Sequence, residues 1–145
     1  MWAFWNADLA ESYTMLKLLQ LVWDQNRSSW GPYVDYSSFE VEFNEEGKLQ
    51  TDPEVRKSDE EVARIIETRG ITKFTQYRLT EESRSFMRFR EMKDTQANNF
   101  GVVLNTSGEI VKMGQLDSID SIKNTIDKEV YTIKIGNALN KVILM

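Results

Sequence analysis

The chain lacks two of the side chains on which most catalytic and metal sites depend. It has no cysteine and no histidine in 145 residues. Without cysteine there are no disulfides, no thiolate nucleophile and no thiolate metal site, which suits a reducing compartment. Without histidine there is no Ser-His-Asp triad, no Cys-His pair, no histidine-held zinc and no imidazole base near neutral pH. Glycine and proline are also sparse, at seven and two. Neither GxGxxG nor GxxxxGK[ST] occurs, so the glycine-rich phosphate cradles are missing. The longest apolar run, Met15 to Trp23, is interrupted by Lys17 and Gln20 and is too short to span a bilayer. The first residues, MWAFWNADLAES, carry no basic segment and no small-residue cleavage site. These absences predict a cytoplasmic protein with no membrane contact, no cofactor, no metal and no catalytic centre. Carboxylate chemistry remains open to such a chain, including a pair of the glycosidase type, and no other feature of the sequence supports that pair.

What is present is a chain able to fold. Hydrophobic residues make up 41%, aromatic residues 11% and charged residues 28%, with a net charge of −5. This composition fits one domain over residues 1–145. The charge is unevenly placed. Residues 1–68 carry 14 acidic and 6 basic side chains, whereas residues 69–93 carry 3 acidic and 7 basic.

Periodicity predicts the elements. Leu9, Tyr13, Leu16, Leu19 and Trp23 recur at helical spacing, predicting a helix over 7–26. SFEVEF alternates, with Phe39, Val41 and Phe43 on one face and Glu40 and Glu42 on the other. With the NEEGK turn it predicts a β-hairpin over 38–50. Ser58 followed by Glu61 is a capping-box signature for a helix over 58–69, closed by Gly70. Segments 71–79 and 84–92 predict a second hairpin around TEES, with 93–99 as a linker. Segments 100–104 and 109–113 predict a third around NTSG. Ile119, Ile122 and Ile126 predict a short helix over 118–128. VYTIKI and KVILM then read as strands separated by GNALN. The expected fold is α+β: a mainly antiparallel sheet of hairpins, with the N-terminal helix and two shorter helices on one face. Trp2, Phe4, Trp5, Trp30 and Tyr33 are expected to close the core.

Two charged stretches are candidate binding surfaces. Asp35, Glu40, Glu42, Glu45 and Glu46 predict an acidic face that would steer and hold a basic protein. Arg78, Arg84, Arg88 and Arg90, with Tyr77 and Phe86, place cations beside stacking surfaces, as a single-stranded nucleic-acid binder does. The acidic majority favours the first reading. The expected function is a small acidic module that neutralises a basic partner, as a bacterial immunity protein, an antitoxin or a phage-encoded inhibitor of a nuclease-type toxin does. Nucleic-acid binding, or a structural place in a larger assembly, is the alternative.

Overall fold

A computed structural model describes residues 1–46, 48–50, 52–80, 82–83, 99–115 and 119–144, with side chains to residue 139. The fold is α+β, and its first element is a strand, β1 (Trp2–Asn6). It is followed by α1 (Ala10–Gln25), the short α2 (Arg27–Trp30), β2 (Ser37–Val41), α3 (Asp59–Arg69), β3 (Thr75–Arg78), β4 (Phe100–Leu104), β5 (Ile110–Gln115) and α4 (Ile119–Leu144). The five strands form one sheet in the order β3-β2-β1-β4-β5.

The sheet is mixed, which corrects the expectation of antiparallel hairpins. β2 lies parallel to β1, with Trp5 opposite Glu40, and β3 lies parallel to β2, with Glu40 opposite Arg78. Among the five described strands, β4 and β5 are joined as an antiparallel hairpin, and β4 runs antiparallel to β1. The helices α1 and α3 are therefore crossover connections between parallel strands, and parallel strands require such connections. The turn predicted within 38–50 is present as a short antiparallel return beyond the end of β2: Phe43 bridges Leu49, the Asn44 N–H donates to the Lys48 carbonyl at 2.8 Å and the Gln50 N–H to the Glu42 carbonyl at 2.7 Å. The predicted partner arm of β3, residues 84–92, lies outside the described residues, as do Gly47 and residues 93–98 of the linker.

Local chemistry accounts for the helix ends. Ser58 accepts a hydrogen bond from the Glu61 N–H, and Gly70 takes the left-handed conformation at φ 70°. In the β4–β5 turn, Asn105 Oδ1 accepts from the N–H groups of Ser107 and Glu109, and Gly108 sits at φ 78°. α4 is the largest departure from the sequence pattern. Its 26 residues absorb the segments read as the last two strands. The stripe Ile119, Ile122, Ile126, Val130 continues at spacings of three and four, and packing of that stripe overrides the β-branched composition of VYTIKI. Beyond Lys134 the outward residues Ile135 and Leu139 are exposed.

Both faces of the sheet bear apolar clusters. On one face Ala3, Trp5 and Val103 meet Leu16, Leu19 and Trp23 of α1, Trp30 of α2, Val62 of α3 and Ile122, Ile126 and Val130 of α4. Trp30 Nε1 donates to Asp127 Oδ1 at 2.8 Å, tying α2 to α4. The other face gathers Phe4, Phe39, Val41, Leu79, Phe100 and Val102, with Phe4 stacked on Phe39 at 5.1 Å. Phe4, Trp5 and Trp30 are buried as expected, whereas Trp2 is partly buried and Tyr33 is exposed.

Candidate functional site: a buried charge network under an acidic edge

The parallel strands β1, β2 and β3 all finish at the same edge, and charged side chains converge there. Register sets the core of the group. Trp5, Glu40 and Arg78 are neighbours across three strands and point to the helix-covered face. Glu40 is completely buried, and the Glu42 side chain is 9% exposed. Arg78 crosses both carboxylates, with Nε 2.9 Å from Glu40 Oε2 and Nη2 3.0 Å from Glu42 Oε2. Its Nη1 donates to the Lys57 carbonyl at 2.6 Å and to Asp59 Oδ1 at 2.9 Å. Lys57 links Glu42 Oε1 at 3.2 Å to Asp8 Oδ1 at 2.6 Å, joining the loop before α1 to the loop before α3. Arg56 lies within 3.6 Å of Glu40 and 3.8 Å of Glu42, but its Nε and Nη2 have no hydrogen-bond partner.

The balance of burial and pairing differs along this chain of charges. Desolvation raises the Glu40 carboxyl above its ordinary value and outweighs the hydrogen bond from Arg78. One oxygen, Oε1, has no partner, so the carboxylate is only half compensated. Burial pulls Arg78 down, yet its bonds to Asp59 and Glu40 leave it raised overall. Lys57 is likewise raised, its pairing with Asp8 and Glu42 outweighing desolvation.

Glu40 and Glu42 are therefore internal ion-pair partners, which corrects the expectation of a solvated acidic strand face. The physical reason is the parallel pairing. Crossover helices cover the face that strand alternation assigned to solvent. Arg78 is corrected in the same way, since its guanidinium turns inward rather than toward a ligand surface. Of the other basic-hairpin candidates, Tyr77 is half exposed and stacks on Phe39 at 5.3 Å. Arg84, Phe86, Arg88 and Arg90 lie outside the described residues.

The remaining acids divide by position. Asp35 is exposed but sits at the start of β2, the opposite end from Glu45 and Glu46, which are exposed just beyond its finish. Asp52, Glu54, Asp59, Glu60 and Glu61 are exposed on the segment that follows. Over residues 45–61 seven carboxylates thus face solvent, and Lys48 is the one exposed cation among the described residues. Arg56 and Lys57, the other cations of that stretch, are drawn into the network. The pairing of Arg56, Lys57 and Arg78 with Glu40 and Glu42 sums to +1, so a chain of −5 leaves −6 for everything else. Sequence reading missed Arg56, Lys57 and Asp59. The signal that points to them is the strand–helix–strand spacing, which implies parallel strands buried on both faces and hence cations for Glu40 and Glu42.

Two open clefts flank the network, each of ≈ 480 Å3. One is walled by Glu42, Phe43, Asn44, Glu45, Glu46, Gln50 and Val55. The other lies between α3 and β3, walled by Val62, Ala63, Ile66, Tyr77, Arg56 and Arg78 among others. Among the described residues no group of acids is arranged to hold a metal ion, and no helix is long and apolar enough to cross a membrane. Comparisons of the chain with protein families, with curated proteins and with solved structures find no match to any of the three.

Proposed function

We propose that the protein is a small acidic binding module that captures a basic protein partner through the edge formed by residues 45–61. An immunity protein, an antitoxin or a phage-encoded inhibitor of a nuclease-type toxin is the functional class this reading fits. One observation carries it: the stretch exposes seven carboxylates while its arginine and adjoining lysine are folded inward. A surface of one sign accelerates encounter with an oppositely charged partner and selects against nucleic acid. The contact set is therefore Glu45 and Glu46 with Asp52, Glu54, Glu60 and Glu61, in place of Glu40, Glu42 and Asp35. The network beneath supports the reading by fixing the loop that bears these acids.

The test compares native-host partners of the wild type with those of Glu45→Lys/Glu46→Lys/Glu60→Lys, by affinity capture with quantitative mass spectrometry. The expected partner is strongly basic, is released by raised salt and is lost from the charge-reversed variant. Partners of neutral or acidic character, capture indifferent to charge reversal, or salt-sensitive binding to single-stranded oligonucleotides would each reject the reading.

A further inference from the structure

The helix α4 has two apolar faces. Its inward stripe, Ile119, Ile122, Ile126 and Val130, packs on the core. Tyr131, Ile135 and Leu139 follow one another at four-residue spacing on the other side and form an exposed ridge. Among the described residues the three most exposed large apolar side chains are Tyr131 at 67%, Val55 at 65% and Leu139 at 57%. Two of them belong to this ridge, and the third lies across the molecule. The ridge is also where an acidic chain runs free of acid. Residues 130–145 hold no acidic side chain and two lysines, the longest acid-free run in the sequence. Lys128 and Lys134 are exposed beside the ridge, with Lys134 Nζ 5.6 Å from the Tyr33 ring.

Val55 sits in the opposite setting. It walls an open cleft with Phe43, and Glu45 and Glu46 rim the same space. One molecule thus offers an apolar ridge flanked by cations and an apolar cleft rimmed by acids. Topology keeps them apart. Ile126, Val130 and Ile133 share a small cleft with Asp35, just before β2, and with Leu104 at the end of β4. The ridge therefore stands at the start of β2, whereas Glu45 and Glu46 follow its finish, so the two surfaces do not meet within one chain. We propose that the ridge Tyr131, Ile135, Leu139 docks on the Phe43 and Val55 cleft of a second copy, so that the protein associates head to tail. A helix presenting apolar anchors at this spacing suits a groove, and Lys128 and Lys134 meet Glu45 and Glu46 with opposite charge. The contact is heterologous, so a pair of molecules leaves one ridge and one cleft open and further copies add. It is also small, which makes it transient. It does not rest on the capture of a basic partner, although both contacts draw on Glu45 and Glu46.

The test is sedimentation equilibrium of the purified whole protein up to about 1 mM, at low and at raised salt. The average mass is expected to climb above that of the monomer as concentration rises, and to fall back in salt. Tyr131→Glu/Leu139→Glu removes the ridge and Glu45→Lys/Glu46→Lys reverses the rim of the cleft, all at exposed positions. Each variant alone is expected to stay monomeric. Mixed in equal amounts they should form a dimer and nothing larger, because each keeps the surface that the other lacks. In that mixture the amide shifts of the isotope-labelled ridge variant should move at Phe43, Glu45, Glu46 and Val55. If two added charges disrupt α4, Lys134→Glu leaves the ridge in place and should itself weaken association at least about threefold. The proposal is overturned by a wild type that remains monomeric at about 1 mM in low salt, by a mixture that stays monomeric, or by a cleft variant that still self-associates, which would pair the ridge with itself.

Discussion

At the scale of single residues, Arg78 holds the largest share of the charge network. It satisfies Glu40, Glu42, Asp59 and the Lys57 carbonyl at once. Replacing it with methionine strips the buried Glu40 carboxylate of its hydrogen bond and leaves Arg56 and Lys57 as the remaining cations of the network, so Arg78→Met is expected to destabilise the fold by about 3–5 kcal/mol, measured by urea denaturation. Glu40 gives a pH signature of its own. Its folded carboxyl titrates above the unfolded value of 4.5, so the folded state holds that proton more tightly. The ionised form therefore costs stability at pH above the raised value, and the cost is relieved as pH falls through that value toward 4.5. In Glu40→Gln the contribution disappears. The stability difference between wild type and variant is expected to shift in favour of wild type as pH is lowered from 7 toward 4.5. A difference that is flat across that window contradicts the assignment. Lys57 acts at the other end of the scale. Its raised value means a contribution present below 10.5 and lost as pH climbs through the folded value.

At the scale of elements, the caps and α4 are the informative places. Ser58 satisfies one of the free N–H groups at the start of α3, and Ser58→Ala is expected to cost about 1 kcal/mol by the same denaturation measurement. Gly136 lies inside α4, and an added Cβ there meets nothing within 4 Å. Gly136→Ala should therefore stabilise by about 1 kcal/mol and raise helical circular dichroism. If residues 130–144 were strands, alanine would bring no gain, so this substitution discriminates between the two readings. The elements that could be read from the sequence were those carrying their own punctuation. α1 has Tyr13, Leu16, Leu19 and Trp23 at helical spacing, α3 has Ser58 and Gly70, and the β4–β5 turn has Asn105 and Gly108. Those that were misread depend on tertiary context. β1, with its aromatic run, has no alternation because both of its faces are buried. The end of α4 is rich in β-branched residues that favour strands until a stripe packs. Glu40 and Glu42 were assigned to solvent because alternation distinguishes the two faces of a strand but not which of them a helix will cover.

At the scale of the whole molecule, charge among the described residues separates into an interior that is nearly balanced and an exterior that is negative. The inward turn of Arg56, Lys57 and Arg78 makes the surface more acidic than the composition suggests, and the excess collects where β2 and β3 finish. Association with a cationic partner is therefore expected to slow steeply as ionic strength rises, while dissociation changes little. Stopped-flow measurement across a salt series checks this. An association rate independent of salt would show that the acidic edge plays no part in the encounter.

The position of β1 in the sheet carries a consequence for how the chain is made. Residues 2–6 form the middle strand, one neighbour is supplied by residues 37–41, and the other by residues 100–104. A ribosome therefore releases the centre of the sheet first and one of its flanks about a hundred residues later, roughly 5–20 s afterwards at ordinary rates of synthesis. For that interval the apolar segment WAFWN has only part of its shelter, so the nascent chain is most vulnerable to misassociation at the strand that ends up best protected.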